Sequence, residues 1–392
     1  MMADVIDDNS TVSPRLRSEV KGLRDIARQF SGLSQNPMPR EQLEKAGIVV
    51  SLSLVSEIHY LNRLKANAYA RIVEGRPVVM VLVGLPLLIR AFFLAIMSEG
   101  KVLSNTEDIS CANQKMTKRY AECDWRGFLC LARQFSIDKF ERWCGRLALT
   151  GLPQNNMEGR TYLAIMLSLQ AVCYVLGHEI GHVAMGHVDF VGGEKEDFGY
   201  AEFPGLKRLP FSTSLFHAFE FEADTYAIAK MFEGFFQSNS AISMHPKTSK
   251  NYISLTTMSR QSRYQLWITT IGAIFLLFES LQKLRPLWAK VICPGYETHP
   301  PPLYRLKHLV KWTREFYLRS EGRDREQYDR ATAYAIKDLS LIAEKLRIKA
   351  NFHNILDSET GYEMRIAAAR GSVAEKMKEI MQSIQDRYAY GV

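Results

Sequence analysis

A mostly helical α+β fold with a small sheet is the architecture this 392-residue sequence predicts. Three observations carry that expectation. Tyr162–Gly186 reads YLAIMLSLQAVCYVLGHEIGHVAMG, apolar on nearly every side and without proline, as a buried helix must be. Val78–Val83 is short, β-branched and closed by Gly84 and Pro86, which marks a strand. Arg305–Ala350 and Tyr362–Tyr388 mix charged and apolar residues in the manner of amphipathic helices.

In chain order, Met1–Arg15 is polar and rather acidic and is expected to be disordered. Leu16–Phe30 predicts a short helix, followed by a loop to about Arg40, so residues 1–40 read as a flexible N-terminal segment. Glu41–Ala66 interleaves apolar residues with Glu and Lys and reads as helix. Val78–Met97 is twenty residues of mostly apolar chain, long enough to cross a bilayer. Pro86 would bend such a helix, and Arg90 would be costly in lipid. The expectation is therefore a strand, a Gly84-Leu85-Pro86 turn and a helix from about Leu87 to Ser98. Ser98–Gly159 then intervenes before the long apolar helix. Val188–Ser212 is rich in Gly and Pro and reads as a loop, placed in sequence to act as a flap. Ser214–Phe235 reads as helix, and Leu266–Phe278 as a core helix too short to span a membrane. Residues 311–392 are expected to form a C-terminal helical extension.

Composition is that of a globular protein, with 47% hydrophobic and 23% charged residues. The mean hydropathy of −0.14 argues against a polytopic membrane protein. The net charge of +8 suits an acidic partner or a membrane surface. No basic cluster or zinc-finger spacing supports nucleic acid as a partner, and none is expected. The six cysteines include no C-x-x-C pair, and the first fifteen residues lack the apolar core of a secretory signal. Reduced thiols and a cytoplasmic location are the expectation, with the inner face of a membrane as the alternative.

The chemistry concentrates in His178-Glu179-Ile180-Gly181-His182. Positions four apart lie one turn above each other on a helix, so His178 and His182 can hold one metal ion between them. Glu179 then stands beside a metal-bound water as its base. Ionisable side chains in so apolar a helix would be costly without a metal or a partner. A hydrolytic zinc site takes three protein ligands, and Phe219-Glu220-Phe221-Glu222-Ala223-Asp224 offers the third. Glu220 and Asp224 share a helix face, which assigns Glu220 as ligand and Asp224 as acceptor for a ligand histidine's outer N–H. Glu222 is the competing ligand. His187 after Gly186 reads as a helix-capping residue, with a supporting role at the site as the alternative. One zinc ion per chain is the cofactor expected.

The pairing of HEIGHVAMGH with EFEAD resembles the gluzincin zinc metallopeptidases, in particular the branch of the CaaX-prenyl endopeptidases and the bacterial heat-shock membrane peptidases. Asn67-Ala68-Tyr69-Ala70 ahead of Val78–Leu85 matches that branch's string before its Gly-Leu strand. Thr298-His299-Pro300, with Arg305 six residues after the histidine, matches another of its motifs. The resemblance covers roughly residues 67–89 and 161–309, and its interruption is similar to that in Lit-type phage-exclusion peptidases. It implies a gluzincin core over residues 41–310, interrupted at about 98–159, and a zinc-dependent endopeptidase. By resemblance, His299 is a second electrophile and Arg305 braces it or orients a carboxylate. Also by resemblance, the strand ending at Val83 is a sheet edge that pairs with an extended peptide or protein substrate, which assigns Asn67, Ala68, Val81 and Val83 to substrate binding. A membrane-associated peptidase of the same chemistry is the first rival reading. A zinc-bound interaction or switch protein without turnover is the second, and the presence of Glu179 speaks against it.

Overall fold

The computed structural model describes residues 57–61, 68–73, 76–82, 84–104, 106, 125–133, 139, 159–192, 213–232, 258–284, 299–321, 325–350, 352 and 361–389. Three strands open it: β1 (Glu57–Leu61), β2 (Ala68–Val73) and β3 (Arg76–Leu82). Ten helices follow among the described residues. They are α1 (Gly84–Ser98), α2 (Trp125–Arg133), α3 (Gly159–Ala184), α4 (His187–Gly192), α5 (Thr213–Phe232), α6 (Arg260–Leu284), α7 (Pro302–Glu321), α8 (Arg325–Lys345), α9 (Gly361–Gly371) and α10 (Ala374–Ala389). The mostly helical α+β expectation holds.

The sheet corrects two expectations. Its order is β1-β3-β2, with β1 parallel and β2 antiparallel to β3. Glu57–Leu61 is therefore a strand inside the span expected to be helical; its Ile and Tyr suit a pleated surface. The strand expected at the sheet edge is central. Val81 pairs with Tyr60 on one side and Ala68 on the other, so its backbone is already spent on ladder bonds. The edge nearest the long helix is β2, which packs across α3. Asn67 and Val83 lie outside the described residues.

Helix α3 is the axis of the molecule, packed on α1 and α5, while α6 packs on α7 and α8. Helix α1 begins at Gly84, the first residue of the expected turn, because Pro86 falls in its first turn where no amide donor is needed. Its last carbonyls are satisfied from the start of α3. Arg160 Nε donates to Met97 O at 2.6 Å, and Nη2 to Glu99 O at 2.6 Å and Val102 O at 3.3 Å. The interruption thus returns α3 to the end of α1. Within it, α2 sets Trp125 and Phe128 against Phe92. Helix α6 is longer than its apolar stretch, begun by Ser259 Oγ accepting from Ser262 N at 3.2 Å. Helices α3 and α6 are long and apolar enough to cross a membrane, and their apolar windows are 94% and 83% buried in the protein. The C-terminal amphipathic spans divide into α7 and α8, and into α9 and α10; α7 runs through residue 310.

One buried carboxyl ties these layers and carries a pH signature. Asp338 on α8 accepts from Leu103 N at 3.0 Å, where Leu103 sits at φ 60°, and from Gln265 Nε2 on α6 at 2.9 Å. Burial pushes its pKa up to about 6, despite those two bonds. A carboxyl with a raised folded pKa binds protons more tightly folded than unfolded, so it costs stability as pH rises towards the folded value. Asp338→Asn keeps the shape and removes the charge. Its stability relative to the native chain is expected to improve by on the order of 2–3 kcal/mol between about pH 4 and pH 7. Denaturant midpoints across that range check it, and parallel curves would refute it.

Candidate active site and metal centre

The site forms where α3 crosses α5. Gly181 makes that crossing close: a Cβ there would lie 3.0 Å from both Cα and O of Ala223. The motif's glycine and the alanine of E-x-x-A-D thus set the spacing of the two helices that carry the ligands. His178 Nε2 and His182 Nε2 are 3.1 Å apart. Glu220 reaches across with Oε2 at 3.3 Å from His178 Nε2 and Oε1 at 3.4 Å from His182 Nε2. Bond lengths of about 2.0–2.1 Å put tetrahedral zinc ligands about 3.3 Å from one another. The three separations match that edge, and all three residues are buried. Two imidazoles and a carboxylate are a catalytic zinc donor set, with a fourth position left for water. When bound, zinc supplies a Lewis acid and a water acidic enough to be deprotonated near neutral pH.

Each histidine is held from behind. His178 Nδ1 lies 2.8 Å from Asp224 Oδ1. Asp224 also accepts from Tyr174 OH at 2.5 Å and from Arg305, Nη2 at 2.6 Å and Nε at 2.9 Å. With Nδ1–H donating to Asp224, His178 turns its Nε2 lone pair to the metal position. Burial opposes charge on Asp224, yet Arg305 and His178 hold its carboxyl well below the usual range. Burial likewise opposes a proton on His178, but Glu220 and Asp224 overcome it and raise its pKa to about 10. Burial lowers that of His182 to about 3.

Behind His182 stands a residue that the sequence favoured as a helix cap. Gly186, at φ 74°, ends α3 and turns the chain back. That reversal brings His187 Nδ1 to 3.0 Å from His182 Nδ1. His187 stacks on Phe219, ring centroids 4.3 Å apart, and its Nε2 lies 2.8 Å from Glu222 Oε2. Glu222, the competing ligand, therefore faces away from the metal position and meets His187 and Arg370. Sequence reasoning missed Tyr174 and Arg370 altogether. The four-residue spacing of Tyr174 and His178 could have flagged the tyrosine, since it sets Tyr174 one turn before His178 on the same face.

His299 Nδ1 sits 2.7 Å from Glu220 Oε2, and Arg305 Nη2 is 3.9 Å from the same oxygen. Arg305 orients the Asp224 carboxylate, the second of its two expected uses. A small pocket beside the metal position is lined by Ala68, Leu85, Tyr174, Val175, His178, Glu179, Phe278 and Arg305. Ala68 and Glu179 both line this pocket.

This geometry defines a zinc metalloendopeptidase of the gluzincin type, with His178, His182 and Glu220 as metal ligands and Glu179 as the base. The sequence profile of the peptidase U49 family matches residues 93–315, more than half of the chain, and the protein belongs to that family. The matched span holds every ligand and the base, along with His299 and Arg305. Comparison with curated proteins and with solved structures returns no match.

Proposed function

We propose that this endopeptidase cleaves extended segments of protein substrates that add a strand to β2, and that it does so in the cytoplasm. The observation that carries the reading is Ala68, which begins β2 and lines the same pocket as His178 and Glu179. A substrate paired along β2 would be held by backbone bonds with its scissile amide over the site. Glu179 takes a proton at its carboxylate and returns it to the leaving amine. Asp224 and Arg305 keep His178 in one tautomer while this happens. His299 anchors Glu220 through Nδ1, and we assign its Nε2 to the substrate carbonyl oxygen as that oxygen gains charge. The cytoplasmic reading is supported by the burial, among the described residues, of the two helices of membrane-crossing length, whose apolar faces are used in the core.

Peptide substrates methylated at single backbone amides test the strand reading. Methylation at a position that donates to β2 should lower kcat/KM by roughly ten-fold, about the worth of one hydrogen bond, at alternate residues only. A loss at every position, or at none, would refute pairing with β2. Recovery in a membrane pellet after alkaline washing would refute the location.

A further inference from the structure

His178 is held by a carboxylate directly, whereas on His182 the corresponding nitrogen meets another ring. The direction of each proton in that second chain follows from its far end. Glu222 can only accept when ionised, so His187 Nε2–H donates to it at 2.8 Å. A neutral His187 then presents Nδ1 as acceptor, and His182 Nδ1–H donates to it at 3.0 Å. That leaves the His182 Nε2 lone pair directed at Glu220 and the metal position. The whole sequence of donors depends on the Glu222 carboxylate staying in place beside His187. Its other oxygen, Oε1, accepts from Arg370 Nε.

Arg370 belongs to α9, beyond the span matched by the family profile. Helices α9 and α10 are not loosely attached. Met377, with Val373 and Ile380, packs among Phe190, Leu215 and Phe219, and Ile366 packs with Ala218 and Phe221. The helical pair thus covers α4 and the outer side of α5, and delivers one guanidinium to the back of the metal centre.

We propose that Arg370 is a positioning residue for the zinc site, acting through Glu222 and His187 on the ligand His182, so that the C-terminal helical pair is a working part of the metal centre. It rests on the zinc-ligand assignment, and the experiment separates the two. Zinc dissociation constants are measured by chelator competition on the full-length chain, with thermal unfolding of the metal-free protein alongside. Arg370→Ala is expected to weaken zinc binding roughly ten-fold, at the low end of outer-contact effects because the arginine is partly exposed, and Arg370→Lys to recover part of it. Lys376→Ala is the control: its ammonium lies 4.8 Å from the Phe190 ring centroid on the same helical pair, outside the donor chain. It should leave zinc affinity within about two-fold even if it lowers the unfolding temperature. Arg370→Gln, with a smaller change in shape, stands in should the alanine variant fail to fold. In zinc-loaded native protein the ring ¹⁵N signals should show His187 protonated at Nε2, and Arg370→Ala should broaden or shift them. Unchanged affinity in the Arg370 variants, or an equal loss in Lys376→Ala, overturns the proposal. Stoichiometric zinc in His178→Ala would instead overturn the ligand assignment beneath it.

Discussion

Glu179→Gln is expected to hold zinc at the native stoichiometry and to cleave peptides about 10²–10⁴-fold more slowly. The substitution keeps volume and polarity at a side chain that is 3% exposed, so the pocket lined by Glu179, His178 and Val175 keeps its shape. What it removes is the basic oxygen pair. An amide side chain neither takes a proton from water nor returns one to a leaving amine. The ligands are untouched, because the metal position is framed by His178, His182 and Glu220. Metal content and kcat/KM on one peptide, measured on the same preparations, check both halves. Loss of zinc together with activity would make Glu179 a support of the metal site, and full activity would place the base elsewhere. The non-catalytic switch reading is tested here too, since it expects no turnover from the native chain.

The ligand set was legible in the sequence because it is local twice over. The four-residue spacing of His178 and His182, and of Glu220 and Asp224, is a property of single helices, and the apolar surroundings announce burial. What joins the two helices, the Gly181–Ala223 approach, is visible only in the structure. The misreadings are all of non-local origin. Val78–Leu82 is a strand either way, but whether it lies at the edge or the centre is decided by partners, and the sequence of β1 reads as helix. His187 follows a helix-ending glycine, which suits a cap; its contact with His182 depends on the path taken after Gly186 at positive φ. Arg370 lies 148 residues from Glu222, and no pattern in either segment points to the other. The sequence therefore shows which residues can do the chemistry, while the residues that aim them come from wherever the packing leaves a donor in reach.

The two glutamates of EFEAD should separate cleanly under one pair of substitutions. Glu220→Gln is expected to lose zinc by more than the roughly 10–100-fold that outer contacts are worth, with peptide cleavage lost alongside. Glu220 is wholly buried, and its two oxygens face His178, His182 and His299. An amide there is a poorer ligand and turns N–H groups towards ring nitrogens that must themselves bind metal. Glu222→Gln removes charge from the back of His187 and should weaken zinc only within that 10–100-fold range. Raising free zinc distinguishes them. Glu222→Gln should recover most of its activity once the site is filled, because all three ligands and the base remain, whereas Glu220→Gln should not. The zinc-dependent rise in unfolding temperature follows the same order, since it scales with the logarithm of free metal over the dissociation constant. If the two variants exchanged these behaviours, Glu222 would be the ligand, and the contacts of Glu222 with His187 and Arg370 would have to open for metal to bind.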